Sequence, residues 1–350
     1  MTNTRHISPA KATLFATAIV ILALASIEVS ARLYFAIRNS SAPTVDLHAY
    51  WVENSDAGYS LKPGYVAGGI RINSLGFRGP EISRERVDGV QRIVTLGDST
   101  TFGPREEECA YPYLLQDLLR PSPVEVIDAG VEGYRSDRAL VHLQRDVLPL
   151  HPDLITVFIG WDDLYQTNPF ADSQQLALQA SPLQRMLSWS TTAQAFRQLY
   201  YQHLASDLQL NTADDSIRLV LLQSYRPQAF ADRLHRMVKA ARDGGADVVL
   251  FTWPTVLGPE MPTAELARVV YPYYTHSLDE LRALYADYQT TVREVATEDH
   301  VQVIDIAAWF DGSNKPNLFV DTLHFTCAGH ALVANRLAPA LEAHLNALGG

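Results

Sequence analysis

The sequence has 350 residues, a length that fits one large domain with additions or two smaller domains. Apolar residues make up 47% and charged residues 19% of it, which is typical of a globular protein and excludes a disordered or collagen-like chain. The net charge of −11 argues against nucleic-acid binding, because no basic field attracts phosphates. With Cys109 and Cys327 as its only cysteines, the chain has neither a disulfide scaffold nor a cysteine-rich zinc site. A single Cys109–Cys327 bridge in an oxidising compartment stays open as the less favoured alternative.

The N-terminal segment is typical of exported proteins. An uncharged stretch covers residues 12–27 and follows the basic residues Arg5 and Lys11. A membrane-spanning helix needs about 20 residues, and here the apolar pattern continues beyond the uncharged stretch. We therefore predict that residues 1–38 form an uncleaved signal-anchor helix, with cleavage after Ala25 as the alternative. The rest of the chain is then expected outside the cytoplasm, in the periplasm if the protein is bacterial.

The remaining chain divides into a leader and one domain. Residues 39–87 contain several proline and glycine breakers and predict an irregular leader that packs on the domain. From residue 88 to residue 350, short β-branched runs alternate with helical patterns, which predicts a single α/β domain. Residues 165–226 are too many for a bare loop and predict inserted helices.

Five short β-branched runs predict the strands of this domain. They cover residues 92–96, 124–128, 154–159, 247–251 and 301–305. Helical patterns between or after such runs favour a doubly wound parallel sheet of about five strands, with helices on both faces. Ligands bind such sheets at the carboxyl ends of the strands, so we expect the functional site there.

Four segments at these strand ends carry side chains suited to nucleophilic catalysis. A serine hydroxyl is a weak nucleophile until a neighbouring histidine takes its proton, and a carboxylate fixes the tautomer of that histidine. Each segment alone is a weak signal, but together they supply all three groups. In chain order they are Gly97-Asp98-Ser99, Ala129–Tyr134, Gly160-Trp161-Asp162-Asp163 and Asp321–His324.

In this order the four segments resemble those of the SGNH/GDSL hydrolase family, over about residues 72–346. The resemblance implies the SGNH hydrolase fold, a flavodoxin-like parallel sheet, and a serine esterase that uses no metal or organic cofactor. It implies a catalytic triad in which Ser99 is the nucleophile, His324 the general base and Asp321 the residue that orients it. The backbone N–H groups of Ser99 and Gly133 are then donors of the oxyanion hole.

One position departs from the family pattern. Where the family has an asparagine that donates to the oxyanion hole, this sequence has Asp162. An ionised carboxylate only accepts hydrogen bonds, and loss of one such donor slows a reaction about 10²–10³-fold. Three interpretations stay open: Asp162 is protonated, Asp163 or a backbone group replaces it, or hydrolysis is slow or not the function.

Other candidate residues receive structural interpretations. The second Asp-x-x-His of the chain, Asp232 and His235, lies in a helical pattern and predicts a solvated surface pair. Trp161 and Trp253 follow predicted strands and are expected to contact a substrate. Four aromatic residues of the insertion are expected to pack its own helices rather than line a pocket: Trp189, Phe196, Tyr200 and Tyr201.

The sequence therefore predicts a membrane-anchored, exported esterase that acts through a Ser99 acyl-enzyme. The resemblance and the predicted location indicate an ester on an exported molecule, such as an O-acetyl group on a polysaccharide. The expected partners are this substrate and the membrane, reached through the N-terminal helix. Two alternatives stay open: an O-acyltransferase acting on a carbohydrate, and a catalytically weak protein of the same fold that binds polysaccharide or serves as a scaffold.

Overall fold

The computed structural model describes residues 8–37, 50–165, 190–193, 227–258, 261, 263–266, 268–272, 275, 277–311 and 315–348. Most of the predicted insertion lies outside these residues, as do Trp189, Phe196, Tyr200 and Tyr201. The described residues form two compact units. The first holds the N-terminal helix and residues 190–193, and the second holds the described residues from Tyr50 onward apart from those four.

The first unit is built on the long helix α1 (Pro9–Ile37). Its segment Pro9–Tyr34 has a mean hydropathy of 2.2 and is long and apolar enough to cross a membrane. A signal sequence near the N-terminus has the same properties. The carboxylate of Glu28 accepts hydrogen bonds from the side chain of Arg32 at 2.7 Å and from the backbone N–H of Thr191 at 2.9 Å.

The second unit begins with two short antiparallel hairpins. Strands β1 (Trp51–Asn54) and β2 (Gly58–Leu61) form the first, and β3 (Val66–Ala67) and β4 (Ile70–Arg71) form the second. The breakers in this leader predict an irregular segment, and the structure differs. The reason is that Gly68-Gly69 is not a break between elements but the two-residue turn of a hairpin, and both glycines have positive φ, 60° and 81°.

A parallel sheet of five strands follows, as predicted. The strands are β5 (Gln91–Gly97), β6 (Val124–Gly130), β7 (Leu154–Phe158), β8 (Asp247–Phe251) and β9 (Gln302–Ile304). Their spatial order is β6-β5-β7-β8-β9, so β5 is flanked by β6 and β7. Gly97 pairs with Gly130 on one side and with Phe158 on the other, so the carboxyl ends of these three strands lie side by side.

Helices cover the sheet in two groups. The helix formed by Tyr111–Leu119 packs on the C-terminal helix and on β6, whereas the helix formed by Gln228–Asp243 packs on β8 and on two further helices. Apolar residues of these helices are buried: Leu234 and Met237 in the helix formed by Gln228–Asp243, and Leu337 in the C-terminal helix. The helices of this unit are α2 (Ser99–Phe102), α3 (Tyr111–Leu119), α4 (Ser136–His142), α5 (Trp161–Tyr165), α6 (Gln228–Asp243), α7 (Thr263–Leu266), α8 (Leu278–Glu298), α9 (Lys315–Leu318) and α10 (Cys327–Leu348).

The two cysteines form a disulfide bond, the less favoured alternative that the sequence left open. Cys109 ends a short 3₁₀ turn, Glu107–Cys109, and Cys327 begins α10. The packing of that turn against α10 brings the two Cα atoms within 4.9 Å, although the residues are 218 positions apart. The sequence gives no sign that two cysteines so far apart are in contact, because only the fold brings them together.

Candidate active site

Ser99 begins helix α2, and one residue, Asp98, separates it from the end of strand β5. Asp98 caps this helix, since its Oδ1 accepts hydrogen bonds from the backbone N–H and the hydroxyl of Thr100 at 2.8 and 2.7 Å. Gly97 permits the tight turn, because an added Cβ would lie 1.9 Å from Thr101 Oγ1. Strand, turn and cap together place the Ser99 side chain at the carboxyl edge of the sheet.

The structure brings Ser99, His324 and Asp321 together as a hydrogen-bonded chain. Ser99 Oγ lies 2.8 Å from His324 Nε2, across 225 positions of sequence. On the far side of the imidazole, His324 Nδ1 lies 2.8 Å from Asp321 Oδ2. The other oxygen of Asp321 accepts the backbone N–H groups of Leu323 and His324 at 3.0 and 2.9 Å. The carboxylate is therefore fixed by its own loop and can orient the imidazole.

The charges around His324 favour its protonated form. Burial alone lowers the pKa of an imidazole, but the hydrogen bond and charge of Asp321, together with the charges of Asp98 and Asp162, raise it above the usual value. The pKa of Asp321 is lowered, because its hydrogen bond to His324 and the histidine charge outweigh its partial burial. These opposite shifts are those of a carboxylate that stabilises an imidazolium.

A neighbouring loop holds the segment Asp321–His324 in place. The carbonyl of Thr322 accepts hydrogen bonds from Thr255 Oγ1 at 2.8 Å and from the backbone N–H of Val256 at 3.1 Å. The hydroxyl of Thr322 accepts the backbone N–H of Val270 at 2.7 Å. Neither Thr255 nor Thr322 is predicted as a functional residue, because a lone threonine in a loop belongs to no sequence pattern that would reveal it.

Gly133 lies on the loop that follows β6, next to the end of β5. Its φ of 73° is in the left-handed region, where glycine is favoured. Its neighbour Glu132 is held twice: the carbonyl accepts the hydroxyl of Tyr59 at 2.7 Å, and the carboxylate contacts the hydroxyl of Tyr50. The loop that carries Gly133 thus has a defined conformation at the edge that also carries Ser99.

Asp163 holds the start of helix α4 rather than facing the site. It is almost fully buried, and its two oxygens accept the backbone N–H of Ser136 at 2.7 Å and the hydroxyl of Ser136 at 2.5 Å. Arg233 Nη1 lies 3.4 Å from the same carboxylate. Because both oxygens are engaged by Ser136, Asp163 is a poor candidate to replace an oxyanion-hole donor.

Asp162 lies in the first turn of α5, after β7, and is partly exposed. Its low-dielectric surroundings raise the pKa of its carboxyl well above the usual value, and the charge of Asp98 raises it further. His324 and Arg135 act in the opposite direction and are outweighed. A carboxyl that stays protonated keeps one O–H donor, which favours the first of the three interpretations of this position.

Trp161 and Trp253 are not placed to contact a substrate, so this prediction is wrong. Only 2% and 1% of their surfaces are exposed, and their ring centroids lie 5.6 Å apart. Trp161 also stacks on Tyr285 at 5.5 Å. The reason is local: Gly160 has no side chain, and an added Cβ would lie 1.6 Å from the Trp253 ring, so the indole packs directly against the backbone.

The second Asp-x-x-His does not form the predicted pair. His235 Nδ1 lies 2.9 Å from Asp299 Oδ2, and His235 Nε2 lies 3.3 Å from Glu298. Asp232 instead accepts a hydrogen bond from Gln228 one helical turn away. The histidine is partly exposed, as expected for a surface residue, but its partners come from the end of α8. Among the described residues, no group of three or more His, Cys, Asp or Glu side chains is placed to hold a metal ion.

Residues 95–332 match the model of the GDSL-like lipase/acylhydrolase family, so the chain belongs to this family. As a member of this family it is an ester-hydrolysing enzyme with the SGNH fold. The matched segment begins within β5 and ends within α10, and therefore contains Ser99, Gly133, Asp162, Asp321 and His324.

Several solved structures are similar to the chain. LAE5, an alpha/beta hydrolase enzyme from the metagenome of Lake Arreo, is 17% identical, with a TM-score of 0.45 over 71% of this chain and 94% of that one. Axe2, an acetylxylan esterase from Geobacillus stearothermophilus, is 16% identical, with a TM-score of 0.44 over 70% and 91%. The lipase/acylhydrolase from Enterococcus faecalis is 18% identical, with a TM-score of 0.45 over 73% and 97%. A search of curated protein sequences finds no match.

Proposed function

We propose that this enzyme is a serine esterase whose nucleophile is Ser99. The observation that carries the proposal is the chain of two 2.8 Å contacts from Ser99 Oγ through the His324 imidazole to Asp321. His324 Nε2 takes the hydroxyl proton as Ser99 Oγ attacks the ester carbonyl, and Asp321 stabilises the imidazolium. His324 then gives the proton to the leaving alkoxide, and water hydrolyses the acyl-enzyme by the same steps in reverse.

The oxyanion that forms during attack needs donors aimed at it. We propose the backbone N–H groups of Ser99 and Gly133 and, as the third donor, the protonated carboxyl of Asp162. The raised pKa of Asp162 supports this assignment, because a neutral carboxyl donates a hydrogen bond and adds no negative charge beside the oxyanion. Asp162 then takes the place of the asparagine that the family uses.

We further propose that the enzyme is anchored in a membrane by one helix and acts outside the cytoplasm. Two observations support this: helix α1 is long and apolar enough to span a bilayer, and the Cys109–Cys327 disulfide is typical of an oxidising compartment. An ester on an exported molecule, such as an O-acetyl group on a polysaccharide, fits that location. Reporter fusions after Gly350 should read extracytoplasmic, and a cytoplasmic signal would overturn the export proposal.

Covalent trapping tests the nucleophile. A fluorophosphonate probe should label the purified enzyme, and Ser99→Ala should remove the label. Ser122→Ala is the matched control, since this serine precedes β6 at the opposite edge of the sheet and contacts Glu342 at 2.7 Å. Labelling that persists in Ser99→Ala, or that is absent from the wild type, would contradict the assignment.

Product analysis with and without a carbohydrate acceptor separates hydrolysis from acyl transfer, because only a transferase moves the acyl group to the added sugar.

A further inference from the structure

Residues 50–79 of the leader lie outside the part of the chain that matches the family model, yet they contact two loops of the candidate active site. One contact is made by Arg78 and the other by Tyr59. Both side chains are almost fully buried, at 3% and 0% exposure. Neither residue belongs to the four segments from which the site was predicted, so their position calls for an explanation.

Arg78 binds the turn at the end of the Ser99 helix, residues 102–105. Its guanidinium donates hydrogen bonds to the carbonyls of four consecutive residues, at 3.1 Å for Gly103 and 3.2 Å for Arg105, with Phe102 and Pro104 also bound. The guanidinium carbon lies 4.2 Å from the centre of the Phe102 ring. The backbone N–H of Arg78 donates to a carbonyl of β6.

Such an arrangement suits positioning better than simple stabilisation. A buried cation is costly, and in the described structure each hydrogen bond of this guanidinium goes to a carbonyl of a single turn. Carbonyls at the end of a helix carry partial negative charge and lack helical partners, so a planar fork of donors holds several of them in one geometry. Helix α2 spans only Ser99–Phe102, so fixing its end also fixes Ser99.

Tyr59 acts in the same way on the second loop. Its hydroxyl donates to the carbonyl of Glu132 at 2.7 Å, immediately before Gly133. The hydroxyl of Tyr134 donates back to the carbonyl of Tyr59 at 2.6 Å. Tyr59 in strand β2 is therefore hydrogen-bonded to the residues on both sides of Gly133. The contact between Tyr50 and the Glu132 carboxylate adds a third attachment.

We propose that the leader is the positioning element of the active site: Arg78 sets the position of Ser99, and Tyr59 sets the position of Gly133. The inference rests on the proposed function, since it assigns both residues to the same reaction. Effective proximity depends on placement within a few tenths of an ångström, and a misplacement of about 1 Å costs about 10²-fold in rate. A loosened leader should therefore lower turnover while substrate binding remains.

The chain offers a matched control for Arg78. Arg92 is equally buried, at 0% exposure, and also donates to several carbonyls, including that of Leu150 at 2.5 Å, but it lies at the amino end of β5. We compare Arg78→Lys with Arg92→Lys, because lysine keeps the charge and loses the planar fork. Arg78→Lys should lower kcat at least about tenfold with KM within about twofold, whereas Arg92→Lys should leave both within about twofold. Both variants are assayed well below their unfolding temperatures.

Tyr59→Phe provides an independent arm, since it removes one hydroxyl and preserves the packing of the ring. It should lower kcat about three- to tenfold and leave KM unchanged. The rate of fluorophosphonate labelling is read in parallel. A wild type that is not labelled at Ser99 would refute the proposed function. A labelled wild type with Arg78→Lys and Tyr59→Phe at the wild-type kcat, or with losses no larger than those of Arg92→Lys, would overturn the positioning role alone.

Discussion

The two edges of the central sheet treat charged residues differently. At the amino edge, acidic groups are paired with bases at short distance. Arg92 Nε lies 2.7 Å from Glu125, and His344 Nε2 lies 2.8 Å from Asp247. These contacts connect strand starts to neighbouring elements, and Glu125 and Asp247 each have a basic side chain within hydrogen-bond distance. The short contacts at the amino edge therefore stabilise the fold.

At the carboxyl edge, several buried carboxyl groups lie close enough together to raise one another's pKa, as Asp98 and Asp163 do for Asp162. Burial raises the pKa of Asp98, Asp128 and Asp162 above their usual values, and burial also raises that of Asp163 to about 6. Shifts of this kind cluster where groups are arranged for chemistry rather than stability. The comparison indicates that burying carboxyl groups at the carboxyl edge is electrostatically unfavourable, and that two of these groups, Asp98 and Asp162, are close enough to His324 to affect its pKa.

The strongest test of this contrast changes the two histidines that follow an aspartate by three positions. His324→Ala should lower kcat/KM by at least about 10³-fold, because Ser99 then has no base. His235→Ala should leave it unchanged, since His235 contacts Asp299 and Glu298 on the surface. Initial rates on a small acetyl ester measure both effects.

Labelling with a fluorophosphonate is the second readout for the same pair. The His324 variant should label far more slowly than the wild type, and the His235 variant at the wild-type rate. Equal losses in the two variants would mean that the carboxyl edge is not specialised in the way proposed here.

The parallel sheet and the edge that carries the site could be predicted from the sequence. β-branched runs identify the strands, and a parallel arrangement brings residues as distant as Ser99 and His324 to one edge. Contacts created only by packing could not be predicted. The disulfide between Cys109 and Cys327 is one example, and the role of Asp163 in holding Ser136 is another.

The tryptophans and the leader show a different limit. Position after a strand suggested that Trp161 and Trp253 face the substrate, but a glycine at position 160 lets the two indoles close over the backbone and become core. In the leader, glycines looked like breaks, whereas two of them form a tight hairpin turn. A glycine marks a place where the backbone is unusual, and the sequence does not say whether a turn or a close contact uses it.

The disulfide offers the next largest effect. It links the 3₁₀ turn Glu107–Cys109 to Cys327, the first residue of α10. Because Cys327 lies three positions beyond His324, the bond should stabilise the carboxyl edge. The paired variant Cys109→Ser with Cys327→Ser should lower the free energy of unfolding by about 2–5 kcal/mol. Urea unfolding measures it. Addition of a thiol reductant should destabilise the wild type and leave the variant unaffected; a variant as stable as the wild type would show that the bond does not brace this edge.

A smaller effect is expected at Asp162. Asp162→Asn replaces the protonated carboxyl by an amide that also donates a hydrogen bond, so hydrolysis should stay within about threefold of the wild type wherever that carboxyl is protonated. At higher pH, once the wild-type carboxyl ionises and stops donating, the Asn variant should be about tenfold faster. Asp163→Asn is not a suitable control, because it breaks the contacts to Ser136. An Asn variant that is much faster than the wild type at every pH, with unchanged stability, would show that Asp162 is ionised and would contradict its role as a donor.

The smallest expected effect is a shift of the pH profile, and it follows from the sign of the His324 pKa. Asp321, Asp98 and Asp162 raise this pKa above its usual value, so the imidazole is protonated over part of the neutral range and only its neutral form accepts the Ser99 proton. The kcat/KM should therefore rise with pH through this raised pKa and fall about tenfold for each pH unit below it.

The same linkage acts on stability with the opposite sign. A histidine whose pKa is raised on folding stabilises the native state below its unfolded pKa, and this contribution is lost as pH rises through the folded value. From about pH 6 to pH 8, activity should thus increase while the part of the melting temperature that depends on His324 decreases. Asp321→Asn should move the midpoint of the activity profile to lower pH, because Asp321 makes the largest contribution that raises the pKa of His324, whereas Asp247→Asn, at the amino edge, should leave the midpoint in place. Profiles of kcat/KM from about pH 5 to 9 decide the matter, and a midpoint displaced equally by both substitutions would show that net charge, rather than the carboxyl edge, sets the titration of His324.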